Sequence, residues 1–483
     1  VRNDFRWDSR IIQLFELLID MGVVIGSLII VLLAHGELQN ITISTTFDFI
    51  VDLVIANSVL LLSTVIFFRV YRISVVKTKY RDLMPRIILA LIMANLITVF
   101  SSMFLNDLDF SKTIFIYSFA VQVMFFVFIK YVEFYFFQKV NVKTAIIIGP
   151  KDQADKFAKK LISDKSSYVE LKYIIYEDEN NTKQCPIIEK YINRVEYIYL
   201  TANLYEEKKN TIIAHCIEHN KTFFLIPKIY ELAIKNASIE NIGDVLVYQV
   251  QGLELTLEQR FLKRTFDLIV GLVGLILTSP IMLLTAIVVK LYDRGPVFFK
   301  QERLTYKNRT FTLIKFRTMI PDAEKHTGPV LASDKDPRIT KLGSFMRKTR
   351  VDELPQFFNI IKGDMSIVGP RPEREFFVEQ FKKENPSYKY RLNVRAGVTG
   401  LAQALGKYNT TYDDKLRYDL FYIRNYSFFQ DLYILLHTIR AIFQNDSAQG
   451  LLQDFNVIDH FDNQGYIYLE SDIDKDVFII TRK

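Results

Sequence analysis

The chain has 483 residues, half of them apolar, with 39 Phe, 26 Tyr and a formal net charge of +7. That length accommodates two or three domains, and so apolar and aromatic a composition argues against a purely soluble enzyme. The two cysteines, Cys185 and Cys216, lack metal-ligand spacing, which argues against a paired-cysteine metal centre and points to a reduced cytosolic state.

Four long apolar segments open the chain, at about 11–34, 47–68, 86–105 and 113–137. Each has roughly the ~20 residues that a bilayer-spanning helix needs. Basic residues flank them alternately. Arg2, Arg6 and Arg10 precede the first, and the loop 35–46 has no Lys or Arg. Arg69, Arg72, Lys77, Lys79, Arg81 and Arg86 fill the second loop, only Lys112 the third, and Lys139 and Lys143 follow the fourth. This alternation places the N-terminus and everything after residue 137 on the cytoplasmic side. No cleavage site follows the first segment, so no secretory leader is expected. Asp20 and Asp52 sit in or near spans, as functional charges or as polar anchors between packed helices.

From residue 143 to about 252 the pattern becomes α/β. Apolar, β-rich runs at 145–148, 171–176, 195–200, 223–226 and 245–250 alternate with amphipathic stretches, which predicts a parallel, Rossmann-like sheet. The first run ends in Gly149-Pro150 and lacks the Gly-x-Gly-x-x-Gly fingerprint, so a structural or regulatory domain is expected rather than a dinucleotide site.

A fifth apolar segment, 266–290, is long enough to cross a bilayer, yet both flanks are basic: Arg260, Lys263 and Arg264 before it, Lys290, Arg294, Lys300 and Arg303 after it. Ser279-Pro280 lies near its middle. Pro280 cannot donate to the carbonyl of Ile276, and the Ser279 hydroxyl can satisfy that freed group. A re-entrant helix broken at Ser279-Pro280, with both ends on one face of the membrane, fits these features.

The chemistry-bearing residues follow. Residues 300–374 hold sixteen Lys/Arg against nine Asp/Glu, a basic block suited to phosphates, nucleic acid or anionic lipid. Within it runs Arg347-Lys-Thr-Arg-Val-Asp-Glu-Leu-Pro-Gln356. Asp352 and Glu353 stand ahead of an apolar run, 354–361, that reads as a helix with Pro355 in its first turn. A carboxylate there is an ordinary N-cap. Held ionised by the helix dipole among arginines, it is also a nucleophile poised for a phosphoryl centre. Gly369-Pro-Arg-Pro372 holds Arg371 between Pro370 and Pro372, preorganised for bidentate phosphate contact. Arg303, Lys315, Arg317 and Arg338 are further phosphate candidates, and each equally suits the membrane surface. Asp334 and Asp336 fit either a metal or a salt bridge to nearby bases. Gly397 and Gly400 shape a turn. The aromatic-rich stretch 412–429 and the helical stretch 432–443 suit a membrane interface. Beyond residue 444, Ile/Tyr/Val runs suggest a short β element.

Taken in order, Gly295-Pro-Val-Phe-Phe-Lys-Gln-Glu-Arg303, Phe311-Thr-Leu-Ile-Lys-Phe-Arg-Thr-Met319, Asp334-Lys-Asp-Pro-Arg-Ile-Thr-Lys-Leu-Gly343, the Asp-Glu pair, Ser366-Ile-Val-Gly-Pro-Arg-Pro372 and Ala396-Gly-Val-Thr-Gly400 resemble the catalytic domain of the bacterial sugar transferases, the monotopic polyprenyl-phosphate phosphoglycosyl transferases. The resemblance covers about 257–443, and the segments before it resemble the large form of that family. It implies a multi-domain membrane protein: a four-helix transmembrane domain (1–140), a Rossmann-like domain (141–255), a mainly α catalytic domain (256–445) with the re-entrant helix, and a C-terminal extension (446–483). The implied reaction passes hexose-1-phosphate from a nucleotide sugar, UDP-glucose or UDP-galactose, to polyprenyl (undecaprenyl) phosphate and releases UMP. That is the first membrane step of exopolysaccharide, capsule or O-antigen synthesis. The nucleophile's role falls on Asp352, and Glu353 is the residue associated with Mg²⁺. The expected setting is the bacterial inner membrane, with the catalytic domain facing the cytoplasm, the bilayer as a partner, a homodimer as the assembly and no nucleic acid. Two other readings compete: a membrane glycosyltransferase that releases UDP, and a non-enzymatic scaffold that binds nucleotide and lipid.

Overall fold

The computed structural model describes residues 9–39, 46–71, 73, 80–104, 112–137, 143–163, 169–177, 184–235, 237–320, 336–406, 410–443, 466–471 and 477–482. These fall into two compact units, Val1–Ile226 with Phe455–Lys483, and Pro227–Asp454.

The first unit opens with four apolar helices, α1 (Ser9–Gln39), α2 (Thr46–Val70), α3 (Tyr80–Phe104) and α4 (Lys112–Phe137). Among the described residues, four helices of the chain are long and apolar enough to cross a membrane. They carry Leu14–Val31, Leu83–Ser101, Ile116–Phe136 and, in the second unit, Leu257–Tyr292, while α2 carries the shorter apolar stretch Val54–Arg69. α1 packs on α4, α2 on α3, and α3 on α4. Their contacts are partly polar. Asn95 Nδ2 donates to Gln122 Oε1 (3.0 Å), and fully buried Lys130 pairs with Asp20 (2.8 Å) and Glu133 (2.9 Å). Asp20 is therefore an anchor between α1 and α4, its cost of burial offset by a cation one helix away. Lys130 carries no sequence signal beyond being, with Glu133, one of two charges within an apolar run. The side chain of Asp52 lies outside the described residues.

A six-stranded mixed sheet completes this unit. β1 (Lys143–Gly149), β2 (Val169–Tyr176), β3 (Tyr197–Leu200) and β4 (Thr222–Leu225) run parallel in the order β2-β1-β3-β4. Helices Lys151–Ser163, Gln184–Ile192 and Glu206–Glu218 connect them. β1 is buried on both faces: Ile146 and Ile148 join one core cluster and Ile147 the other, as expected where helices cover a parallel sheet. The C-terminal hairpin of Tyr466–Glu470 and Val477–Arg482 adds to the free edge of β2 in antiparallel fashion, so the β element after residue 444 extends this sheet. One expectation is corrected. The run 245–250 does not enter the parallel sheet. Val245–Gln249 turns back at Gly243 (φ 66°) and pairs antiparallel with Ser238–Ile242 in the second unit. A two-residue Gly-Asp connection is too short for a parallel crossover.

The second unit is organised around the 37-residue helix Leu257–Asp293, which spans ~55 Å. A capping box starts it: Thr256 Oγ1 accepts from Gln259 N–H while Gln259 Oε1 accepts from Thr256 N–H. One stripe of this helix binds the rest of the unit along most of its length. Lys263 Nζ pairs with Asp431 (2.7 Å), and Arg264 donates to the carbonyls of Ile360 and Ile361. Asp267 accepts from Ser366 Oγ (2.8 Å) and Ile367 N–H (2.9 Å). Gly274 passes so close to Phe357 that an added Cβ would lie 2.6 Å from the ring. Farther along, Met282 and Val289 pack with Phe316 and Met346. The opposite stripe, including Ile269, Leu272, Ile276, Leu277, Leu283, Leu284 and Leu291, is exposed. The break expected at Ser279-Pro280 is not present: the helix continues through Pro280, and Ser279 Oγ donates to Ile276 O (2.8 Å), the carbonyl that proline leaves unpaired.

The rest of the unit comprises the hairpin Phe298–Thr305/Arg309–Phe316, helices Lys341–Thr349, Gln356–Lys362, Glu375–Glu384, Leu401–Leu405, Tyr412–Arg424 and Phe428–Phe443, and the two-stranded parallel pair Ser366–Val368/Gly397–Thr399; helix Gln356–Lys362 and strand Ser366–Val368 pack on the long helix. The core runs through Leu304, Ile360, Met365, Val368, Leu416, Leu420 and Ile434. Helix Tyr412–Arg424 buries Leu416, Leu420, Tyr422 and Ile423, so most of that aromatic-rich stretch serves the core. Phe428, Phe429 and Leu432 of the next helix remain exposed.

Candidate active site

Asp352 and Glu353 sit in a short 3-10 turn, Val351–Glu353, between helices Lys341–Thr349 and Gln356–Lys362. Arg350, in the left-handed region (φ 58°), makes the corner that turns the chain into it. The second helix begins two residues later than its apolar run suggested, with Pro355 as its N-cap rather than inside it. The carboxylates therefore precede the helix instead of capping it, and side chains, more than the dipole, set their electrostatics.

Three cations converge on Glu353 Oε1: Lys315 Nζ at 3.0 Å, Arg371 Nη2 at 3.4 Å and Arg350 Nη1 at 3.8 Å. Burial alone would raise the Glu353 pKa, but Lys315, then Arg371 and Arg350, outweigh it and hold this carboxyl far below the usual range. Asp352 is 7% exposed, and its Oδ1 is buried with no hydrogen-bond partner among the described residues. Burial, then the adjacent Glu353 charge, pushes its pKa up to about 6, against the opposing pull of Lys315, Arg347 and Arg350. Asp352 is thus harder to ionise than its place ahead of a helix among arginines suggests, while remaining mostly ionised at pH 7. The pair divides its roles, Glu353 a permanent anion and Asp352 a carboxyl titrating just below neutrality.

The elements delivering these groups are far apart in sequence. Lys315 comes from the second strand of the hairpin, where Asn359 from helix Gln356–Lys362 accepts from Ile314 N–H and donates to Thr312 O. Arg371 comes from the loop after Ser366–Val368. That loop is held by Gly369 N–H donating to Thr399 O (2.8 Å) and Gly397 N–H donating to Pro370 O (2.9 Å). A Cβ on Gly397 would lie 2.1 Å from Gly369 N, so close backbone approach requires glycine there. Arg391, 3% exposed, donates to the carbonyl of Arg371 (2.9 Å) and pairs with buried Asp419 (3.0 Å), with Tyr388 Oη as a third partner.

Of the predicted phosphate ligands, Lys315 and Arg371 meet the Asp-Glu pair and three others do not. Arg303 donates to Pro372 O (3.2 Å) and Gln301 Oε1 (2.5 Å) and faces Glu373 (3.7 Å), bracing the Pro370-Arg371-Pro372 loop from behind. Arg317, 8% exposed, lies against Gly295, its N–H bonded to Val297 O. Arg338 is clamped by Asp336 (2.6 Å), the salt bridge that is one of the two roles expected of Asp336; Asp334 lies outside the described residues. Sequence reading missed Arg350, Arg391, Asp419, Lys263 and Asp431 as contributors. Arg350 carried a signal, since it stands two residues before Asp352 in the quoted motif. Arg391 and Asp419 carried none, because their pairing depends on tertiary packing.

The arrangement offers one buried carboxyl oxygen without a partner, a neighbouring anion, and cations from three elements. Such a set suits a dianionic or polyanionic reactant whose charge must be neutralised as it meets a carboxylate.

Comparison with known proteins agrees with this chemistry. The family described as bacterial sugar transferase matches residues 258–445. A UDP-N-acetylgalactosamine-undecaprenyl-phosphate N-acetylgalactosaminephosphotransferase from Aeromonas hydrophila is 45% identical over 192 residues, 39% of this chain and 45% of that protein. A UDP-glucose:undecaprenyl-phosphate glucose-1-phosphate transferase from Klebsiella pneumoniae is 35% identical over 260 residues, 53% of this chain and 56% of that protein. An undecaprenyl-phosphate galactose phosphotransferase from Salmonella typhimurium is 32% identical over 246 residues, 48% and 51%. The matches span about half the length of these relatives. Residues 258–445, the part that matches the bacterial sugar transferase family, carry the long helix, the Asp352–Glu353 turn and the Arg371 loop.

Proposed function

We propose that the protein transfers a hexose-1-phosphate from a UDP-hexose to undecaprenyl phosphate through a covalent phosphosugar on Asp352. The observation that carries this reading is the buried, partnerless Oδ1 of Asp352 beside a Glu353 already neutralised by three cations. Asp352 attacks the β-phosphorus of the donor; an O–P bond forms, the bond to the α-phosphate oxygen breaks, and UMP leaves. The lipid phosphate then attacks the same phosphorus, forming the diphosphate and returning the carboxylate. Arg371 and Lys315 neutralise the phosphoryl oxygens as charge shifts to UMP. Adjacent carboxylates are hard-oxygen donors of the kind Mg²⁺ takes, and the partnerless Asp352 oxygen fits a site made to receive an electrophile or cation. Glu353 would hold the ion, which would supply further charge neutralisation at the diphosphate.

The long helix supplies the membrane setting of this proposal. Its protein-facing stripe runs from Lys263 to Val289, ~39 Å of contact, while the opposite stripe is bare and apolar. A helix crossing the bilayer over that length would carry the catalytic body into the hydrocarbon with it. A re-entrant path with both ends cytoplasmic would need this helix, continuous through Pro280 here, to bend at Ser279-Pro280 on entering a bilayer; it would leave the bare stripe in lipid and Asp352 at headgroup depth. In this reading α1–α4 form a transmembrane bundle of the inner membrane, and the β2-β1-β3-β4 sheet is a Rossmann-like accessory domain without a dinucleotide fingerprint.

The test is incubation of the full chain in nanodiscs with Mg²⁺ and, in turn, UDP-glucose, UDP-galactose and UDP-N-acetylgalactosamine, without lipid acceptor. Intact mass should rise by one sugar phosphate with one donor, with UMP released, and Asp352→Asn should show no adduct. Release of UDP on adding undecaprenyl phosphate, with no adduct at any stage, would replace this reading with direct glycosyl transfer.

A further inference from the structure

We infer that His215, Glu218 and His219 form a divalent transition-metal site, of the zinc class, at the C-terminal end of helix Glu206–Glu218, remote in sequence from the Asp-Glu centre. The three side chains recur at i, i+3 and i+4, which places them on one helix face. One ligand atom from each lies within 4.8 Å of the others, close enough for small side-chain rotations to close on one ion.

Two further observations point to a ligand. His219 Nδ1 lies 3.0 Å from the carbonyl of His215; a carbonyl only accepts, so Nδ1 carries the proton and Nε2 the bare lone pair. That bond is the outer contact that fixes a metal-binding imidazole's tautomer and orientation. His215 Nε2, the other imidazole donor, is buried and has no hydrogen-bond partner among the described residues. The imidazole rings stand 4.1 Å apart, 31° from parallel.

The donor set decides the class. Two neutral imidazoles and one carboxylate carry a net charge of −1, suit Zn²⁺, Co²⁺ or Ni²⁺, and are poor for Mg²⁺, which prefers oxygen. Three protein ligands leave a fourth position for water or another donor. Cys216 is not part of the set: it is buried in the sheet's core cluster, away from the three grouped side chains. The ion would tie the last helical turn to His219, just before Lys221, whose Nζ holds the carbonyls of Asn193 and Val195, so it would fasten the helix end to the loop ahead of β3.

The experiment uses the full chain without a histidine tag, stripped with chelator and returned to detergent. Co²⁺ is titrated by its visible ligand-field absorption and Zn²⁺ by competition against it. One equivalent should bind per chain with a tetrahedral Co²⁺ spectrum. His219→Ala and His215→Ala should each weaken Zn²⁺ binding by about tenfold or more. Both variants' far-UV spectra should match the parent, since His219 is exposed and His215 half-buried. Zn²⁺ affinity unchanged in the double variant, or an octahedral Co²⁺ spectrum insensitive to these residues, overturns the assignment.

Discussion

The pH dependence of the proposed covalent half-reaction tests the division of roles between Asp352 and Glu353. Asp352 titrates at about 6, raised first by burial and then by Glu353, whereas Glu353 stays ionised because Lys315, Arg371 and Arg350 surround it. A nucleophilic carboxylate must be ionised. About nine-tenths of Asp352 is ionised at pH 7 and about one-tenth at pH 5, so single-turnover adduct formation should fall roughly tenfold between them and plateau above pH 7. Two substitutions should move the midpoint in opposite directions. Glu353→Gln removes the neighbouring anion and lowers it; Arg350→Gln removes a cation that favours the ionised form and raises it. The rate constant is read by rapid quench and intact mass from pH 5 to 8 at fixed Mg²⁺ and saturating donor, so that lost amplitude is separated from a shifted midpoint. The linked stability effect has its own sign. The folded-state pKa lies above the unfolded value of 3.8, so the folded chain keeps a proton that the unfolded chain loses between pH ~4 and 6. Raising pH through that window therefore costs stability at this group. A flat rate profile from pH 5 to 8, or midpoints that move the same way in both variants, would refute the reasoning.

Three further outcomes follow from the geometry. Arg371→Ala should slow adduct formation by about 10²-fold with little change in melting temperature, since the side chain is 43% exposed and its principal partner is Glu353; an equal loss in donor affinity alone would assign it to ground-state binding. Arg391→Met leaves buried Asp419 without its cation and the Arg371 carbonyl without its donor, and should cost about 3–5 kcal/mol in a denaturation titration; adding Asp419→Leu should restore most of that stability, and no recovery would mean that the pair's packing, rather than its charge, mattered. Gly397→Ala forces a methyl to within 2.1 Å of Gly369 N and 2.4 Å of Thr399 O, both backbone, so the Arg371 loop must shift; a melting temperature lowered by the equivalent of about 1–3 kcal/mol is expected, and unchanged melting and activity would show that the strand pair tolerates separation.

What could be read from the sequence was whatever depends on local pattern. Segment lengths located four N-terminal helices, and β-rich runs located the strands of the parallel sheet, because hydrophobic periodicity and length are local properties. Pro280 and Ser279 gave a specific hydrogen bond, to Ile276 O, because a proline's missing donor is known without tertiary information. Patterns shared by two structures misled. The run 245–250 alternates like any strand, and only the Gly243 turn and the absence of a crossover assign it to a hairpin. Burial was not legible at all. Asp352 reads as a dipole-stabilised anion from its position, and its raised pKa comes from packing that the chain around residues 347–356 does not encode. The same holds for Lys263 with Asp431 and Arg391 with Asp419, pairs 168 and 28 residues apart.

The long helix shows why those hidden pairs matter to the site. Its stripe of Lys263, Arg264 and Asp267 holds Asp431, the end of helix Gln356–Lys362 and the start of the Ser366–Val368 strand. Helix Gln356–Lys362 follows directly on the Asp352–Glu353 turn, and the strand leads directly to Arg371. Both halves of the site are therefore fastened to one rigid rod, a few residues from the groups that act. Gly271 and Gly274 let that helix approach Ile360 and Phe357 at contact distance, where a larger residue would push the Asp-Glu turn away from Lys315 and Arg371. The same rod presents its bare apolar stripe on the other side. A membrane that took up this stripe would set the depth of Asp352 and of its cations together, as the proposed reaction between a water-soluble sugar nucleotide and a bilayer-bound phosphate would require.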